Sequence, residues 1–327
     1  MARNQCPVGE NKSEVVAALP QACSDEATAV ALVEQMRWND CPACPRCGDT
    51  DVYQMQSSKG GRQANFRWRC RGCERQYTVR TGTVMEDSAI PMRHWCLAFW
   101  LACSSKKGMS ALQIQRLTGL SYKSALFLMH RVRFAMVETG GAPLTGTVEV
   151  DETYVGGKPR KANRVEDRVP AKRGRGTKKQ PVVAMVERGG RVRTRVVANV
   201  TVHNLREAMQ DHVHPSACIV TDELSVYPSA ARGFAQHRTV NHGCGEYSDT
   251  AADGFTVSTN RAEGFFSLVK RSIYGIYHNV SREHLHRYIT EREFVYNTRG
   301  LDDGARVVTA IRMSEGKRLR YRGITRR

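Results

Sequence analysis

Two short stretches of this chain set carboxylates where they could hold a metal ion against a phosphate. "TVEVDETY" (147–154) and "CIVTDELSVY" (218–227) each read as an apolar strand running into an aspartate, then a second acid and a tyrosine. Alternation of one residue in two argues β-structure. Asp151 and Asp222 would then project from the ends of two strands in one sheet. A hard divalent cation wants oxygen ligands, few from protein, with water and substrate phosphate filling the remaining positions. Two such ions about 3.5–4 Å apart stabilise both the attacking and the leaving oxygen of an in-line phosphoryl displacement.

A third stretch, "STNRAEGFFSLVKRS" (258–272), opens on Ser258 or Thr259 as a cap and continues as a helix. Asn260, Glu263, Ser267 and Lys270 fall at offsets 0, 3, 7 and 10 and so share one face. That face offers a carboxylate for metal and, two turns on, a lysine for a DNA phosphate. Phe265, Phe266, Leu268 and Val269 supply packing. Glu149 lies on the strand face of Asp151, and an ion pair with the basic segment that follows is the role its charge suggests. Glu152 and Glu223 point to the opposite face by strand period, unless the strand has already ended before them.

A second kind of site is written in cysteine. "CPRCG" (44–48) and "CRGC" (70–73) are two C-x-x-C knuckles separated by 22 residues. Each sets two thiolates a short turn apart, so the pair can close a tetrahedron around Zn2+. Cys41 precedes Cys44 by three residues and offers a rival pairing. Cys44 and Cys47 are preferred because Gly48 suits the tight turn, leaving Cys44, Cys47, Cys70 and Cys73 as the ligand set. Such spacing, rather than a disulfide framework, belongs to a reducing compartment. Cys6, Cys23, Cys96, Cys103, Cys218 and Cys244 have no such pairing and read as buried or idle thiols.

Five zones must position these groups. Residues 1–40 hold one helix, Asp25–Trp38, and residues 41–83 the zinc ribbon, whose spacer carries strand-like pieces around a Gly-Gly turn. Residues 88–140 are helical. Within them "SALQIQRLTGLSYKSALFLMHRVRF" reads as helix, turn at Gly119, and a second helix capped by Ser121. Tyr122, Lys123, His130, Arg131 and Arg133 give that second helix a polar, cationic share, the form of a helix-turn-helix entering the major groove. From about residue 145 to 300 four candidate strands (147–152, 181–188, 191–200 and 217–223) and a helix at 202–213 indicate a mixed α/β sheet. Gly189-Gly190 forms a hairpin turn between the second and third strands. Residues 301–327 read as a basic tail, either a backbone-contacting arm or a disordered end.

Charge narrows the partner. The 327 residues include 50 Lys and Arg against 32 Asp and Glu, a net +18, which favours a polyanion. A membrane is the poorer choice, because no apolar run approaches the roughly 20 residues a span needs. The segment "KPRKANRVEDRVPAKRGRGTKKQ" (158–180) holds ten Lys or Arg and two acids. It reads as a loop that orders on phosphate through Lys172, Arg173, Arg175, Lys178 and Lys179.

Taken together, "VEVDETYVGGK", "IVTDELSVYPS" and "TNRAEGFFSLVKRSIYGIYHNVSREHLHRYITEREFVYNTR" resemble the three catalytic blocks of bacterial insertion-sequence DDE transposases. "RWNDCPACPRCGD" and "CRGCERQYTVRTGTVME" narrow the likeness to the subgroup with an N-terminal zinc ribbon. The resemblance spans nearly the whole chain and implies a ribonuclease-H-like catalytic domain, a mixed sheet flanked by helices. It implies Mg2+ (or Mn2+) at Asp151, Asp222 and Glu263, hydrolysis at the transposon end, and transfer of the freed 3′-hydroxyl into target DNA. Lys270 stands at the family's acid-to-lysine spacing, and Asn260 is a rival for the third position. Implied partners are double-stranded DNA, both terminal inverted repeats and target, and further copies of the chain on that DNA, in the bacterial cytoplasm at the nucleoid. A domesticated DNA-binding regulator and a structure-specific nuclease are the competing classes. A regulator needs no acid triad, and a nuclease needs no pair of upstream DNA-binding modules.

Overall fold

The computed structural model describes residues 12–156, 179–240, 249–250 and 256–321. The chain divides into two units, one formed by residues up to Glu138 together with those from Thr298 onward, the other by Thr139–Asn297.

In the first unit, α1 (Lys12–Ala22) precedes α2 (Glu26–Trp38), whose N-cap Asp25 accepts from the Thr28 amide. The single expected helix is thus a pair; Pro20 lies inside α1 and disguises it in the sequence. Three short antiparallel strands follow, β1 (Val52–Gln54), β2 (Trp68–Cys70) and β3 (Gln76–Tyr77). Next come α3 (Met92–Ser104), α4 (Ala111–Thr118) and α5 (Tyr122–Ala135). Ser110 closes a capping box with Gln113 at the start of α4, and Gly119 ends it in the left-handed region at φ 71°. Ser121 caps α5 by accepting from the Ser124 amide.

Residues 301–327, read in the sequence as a basic tail, depart from that reading. α10 (Asp303–Arg312) is a helix of this first unit, with Val307, Ala310 and Ile311 buried. Arg312 donates to the Met36 carbonyl at 2.8 Å, and Arg37 pairs with Glu315 at 3.0 Å. The apolar positions 307, 310 and 311 recur at helical spacing, and the abundant arginines around them hide the signal.

The second unit is built on a five-stranded sheet of order β6-β5-β4-β7-β8. Here β4 is Thr147–Val155, β5 Gln180–Glu187, β6 Val192–Val196, β7 Cys218–Thr221 and β8 Gln236–Thr239. β4, β5 and β6 are antiparallel neighbours, whereas β4, β7 and β8 run parallel. Gly189 takes φ 75° in the β5–β6 turn, where the sequence places a hairpin. On one face Val148, Val150 and Ile219 pack with Leu205 and Met209 of α6 (Val202–His212) and with Tyr227 of α7 (Tyr227–Ala230). On the other, Val182, Ala184 and Val186 meet α8 (Asn260–Ser272) through Ala262, Phe265, Phe266 and Val269. α9 (Leu285–Asn297) completes that side with Leu285 and Ile289. A sheet covered on both faces explains why β5 is almost continuously apolar.

Candidate active site and metal centre

The ribbon brings its two knuckles together. The ligand atoms of Cys44, Cys47, Cys70 and Cys73 all lie within 4.8 Å of one another, the only such group of His, Cys, Asp or Glu among the described residues. Cys44 and Cys73 sulfurs stand 3.7 Å apart, and those of Cys47 and Cys70 3.6 Å. The knuckle turns favour this closure. Gly48 adopts φ 80°, and a Cβ on Gly72 would meet Asp49 Oδ2 at 2.0 Å. Four sulfur donors at tetrahedral spacing are the donor set of a structural zinc site, and Cys41 lies outside the group. Beneath them Glu34 of α2 receives Trp68 Nε1 at 2.7 Å and Arg62 Nη1 at 2.8 Å, tying helix to ribbon.

The acids of the second unit are set by strand register. β4 and β7 are parallel with Glu149 opposite Val220, so two residues further along both chains Asp151 stands level with Asp222, one residue beyond β7. Adjacent strands lie about 4.8 Å apart. Asp222 also accepts from the Leu224 amide at 3.1 Å, which turns the chain away from the sheet. Burial pushes the Asp151 carboxyl up to about 7, and the charges of Glu152, Asp222 and Glu263 add to the rise, against a bond from the Glu152 amide. The first, second and third candidate acids therefore feel one another's charge. An all-oxygen set that repels itself suits a hard cation.

Helix α8 presents Glu263 and Lys270 on its exposed side, with Asn260 as its exposed first residue. The N-cap position is Thr259, whose side chain makes no cap bond. Glu149 takes that part. It is fully buried, and its Oε2 accepts from the Arg261 amide at 2.9 Å while Oε1 pairs with Arg188 Nε at 3.0 Å. Among the described residues its ion-pair partner is Arg188 in the β5–β6 turn, whereas the basic segment lies outside them. Glu152, on the far face as strand period requires, receives the Tyr227 hydroxyl at 2.6 Å. Neither contact was legible beforehand, because each joins residues of separate blocks.

The cationic candidates sort by burial. Tyr122 is 46 % exposed, and Lys123 and Arg116 are exposed beside it. Arg131 is not available to a ligand in the way its sequence position suggested. It is 5 % exposed, donates to the carbonyls of Glu86 and Leu319 at 3.0 and 3.1 Å, and lies over the Phe127 ring. His130 and Arg133 are buried as well. Helical geometry turns positions 130, 131 and 133 inward beside Leu128, Met129 and Val132, and backbone carbonyls satisfy the guanidinium there. Lys179 is half-buried at the start of β5. Lys172, Arg173, Arg175 and Lys178 lie outside the described residues, as do His242, Cys6 and Cys244.

Comparison with known proteins follows the same two parts. Residues 143–297 match the ISXO2-like transposase domain, and residues 24–76 match the transposase zinc-ribbon domain. An uncharacterized protein in transposable element ISH50 of Halobacterium salinarum is 30 % identical over 272 residues, covering 81 % of this chain and 88 % of that protein.

Proposed function

Because the chain belongs to the ISXO2-like transposase family, we propose that it cuts the ends of a mobile DNA element and joins them to target DNA. The observation that supports this reading is the parallel β4–β7 register, which sets Asp151 level with Asp222; burial, and after it the charges of Glu152, Asp222 and Glu263, raise the Asp151 carboxyl. The strand order β6-β5-β4-β7-β8, antiparallel then parallel, supports a ribonuclease-H-like catalytic domain.

Mg2+ or Mn2+ bound at these acids would supply charge neutralisation of the phosphate and a lowered pKa for the attacking hydroxyl. The protein's own residues do the rest. Asp151 and Asp222, fixed by the β4–β7 register, give the binding edge its rigid side, and Glu263 faces it from α8. Lys270, two turns on, is placed for a neighbouring backbone phosphate. Asn260 stands at the helix start, and Glu263, whose charge acts on Asp151, is the preferred third residue. In-line attack by water and then by a 3′-hydroxyl needs no covalent protein intermediate.

The first unit serves recognition on this reading. Zn2+ at Cys44, Cys47, Cys70 and Cys73 holds the ribbon, and the α4–α5 helix-turn-helix presents Tyr122 and Lys123 to duplex DNA. On the same reading the protein works on DNA in the cytoplasm; among the described residues no helix is long and apolar enough to cross a membrane. The deciding assay incubates cognate end DNA with Mg2+, with and without target duplex. Cutting and joining are expected. Binding without cutting would indicate a regulator, and cutting without joining a nuclease.

A further inference from the structure

We propose that Glu149 is a positioning residue that fixes α8, and with it Glu263, against the strand that carries Asp151. The inference rests on the reading of Asp151, Asp222 and Glu263 as a divalent-cation site. Glu149 lies two residues before Asp151 on the same face of β4, and the amide it binds, that of Arg261, lies two residues before Glu263. One carboxylate therefore links the strand of the first acid to the helix of the third by a contact of 2.9 Å.

Three observations set this contact apart from routine capping. The helix has no cap of its own at Thr259, so Glu149 meets a need left open locally. Its two oxygens are held separately, one by the Arg261 amide and the other by Arg188 at 3.0 Å, and Arg188 also reaches the Ser258 carbonyl at 3.4 Å. The carboxylate cannot turn without breaking one of them. Glu149 is also fully buried in a strand flanked on both sides, opposite Val186 of β5 and Val220 of β7. Its backbone is thereby held by a neighbouring strand on each side. A negative charge at the helix N-terminus is further favoured by the aligned peptide dipoles.

The test measures binding of Mn2+ alone by electron paramagnetic resonance, and exchange of the Arg261 amide, in the full chain. Wild type is compared with Glu149→Gln and with Val269→Ala, a core change elsewhere in α8. Glu149→Gln is expected to weaken Mn2+ at least about tenfold, the scale at which outer-shell partners act on metal sites, and to speed exchange at Arg261. Val269→Ala should lower the melting temperature with neither effect. In wild type, saturating Mg2+ should slow Arg261 exchange. Where Glu149→Gln fails to fold, the double change Glu149→Gln/Arg188→Met, which removes the stranded guanidinium, carries the same readout. Unchanged Mn2+ affinity in either Glu149 variant, or an equal loss in Val269→Ala, would overturn the proposal while leaving the cation site intact. Wild type that binds no Mn2+ would overturn the cation site itself, and the positioning role with it.

Discussion

The Tyr227 hydroxyl donates to Glu152 Oε2 at 2.6 Å, joining the strand that carries Asp151 to the turn that follows Asp222. Burial, then the Glu152 charge, raises the phenol well above its ordinary range, so it stays a donor throughout the working pH. Tyr227→Phe should cost about 1–3 kcal/mol, the scale of a lost bond to a charged group, measured by urea unfolding. A loss below about 0.5 kcal/mol would mean that Glu152 is satisfied without it.

Removing a charge from the acid cluster should separate chemistry from binding. Asp151→Asn, Asp222→Asn and Glu263→Gln should each lower strand transfer by about a thousandfold or more, the scale of lost transition-state charge stabilisation. End-DNA affinity should change little. Asn260→Ala should keep activity within about tenfold of wild type on the same scale. A gel assay of joined products decides, and an inactive Asn260→Ala beside an active Glu263→Gln would reverse the assignment.

Acid–base linkage at Asp151 has an unusual sign. Its folded pKa of about 7 lies above the ordinary 3.8, so folding favours the protonated form. Metal-free protein should lose stability as pH rises from about 4 to 7 through this group. Asp151→Asn should accordingly be more stable than wild type at pH 8, by on the order of 1–3 kcal/mol, with the gain gone near pH 4. Chelator-treated samples melted across that range provide the measurement, and a pH-independent difference would contradict it.

Stripping the ribbon's metal should act locally. Trp68 packs edge-on against Trp38 at 5.6 Å, within the cluster that includes Cys44 and Cys70. Phenanthroline, or Cys73→Ser, should therefore red-shift tryptophan emission and abolish end-DNA binding. Divalent-cation binding by the acids should survive. Emission that ignores the chelator would rule out a metal-dependent ribbon.

Two cations eight positions apart on α5 should behave differently. Lys123→Ala should weaken DNA binding and reduce the salt slope by about one with stability intact. For Arg131→Ala, which strands the Glu86 and Leu319 carbonyls, the expected loss is stability, about 2–4 kcal/mol. Salt-dependent binding and thermal melting distinguish the two, and equal effects would erase the distinction between surface and strut.

The sequence carried the local features well. The two knuckles, the Ser121 cap, the hairpin at Gly189 and the helix from Asn260 follow from spacing and turn chemistry that neighbouring residues specify. Asp151 and Asp222 were legible because each follows an apolar alternation, although Asp151 lies in the middle of β4 and not at a strand end, since the strand continues to Val155. The roles of Glu149 and Glu152 were not, since strand period gives a face but not a partner that lies 112 or 75 residues away. Arg131 misled for a related reason: a guanidinium with backbone acceptors can be buried, and composition cannot reveal those acceptors. α10 was overlooked because its apolar positions are few and its setting strongly basic.

The return of α10 to the first unit also sets an order of assembly. Residues 139–297 form an insertion within a fold whose closing helix, α10, is translated after them. The sheet and α8, which carry the three acids, can condense while the ribosome is still at work, whereas Met36 must wait for Arg312. The half that is made first is finished last, and a prematurely terminated chain would retain the fold of the acids without a completed partner unit.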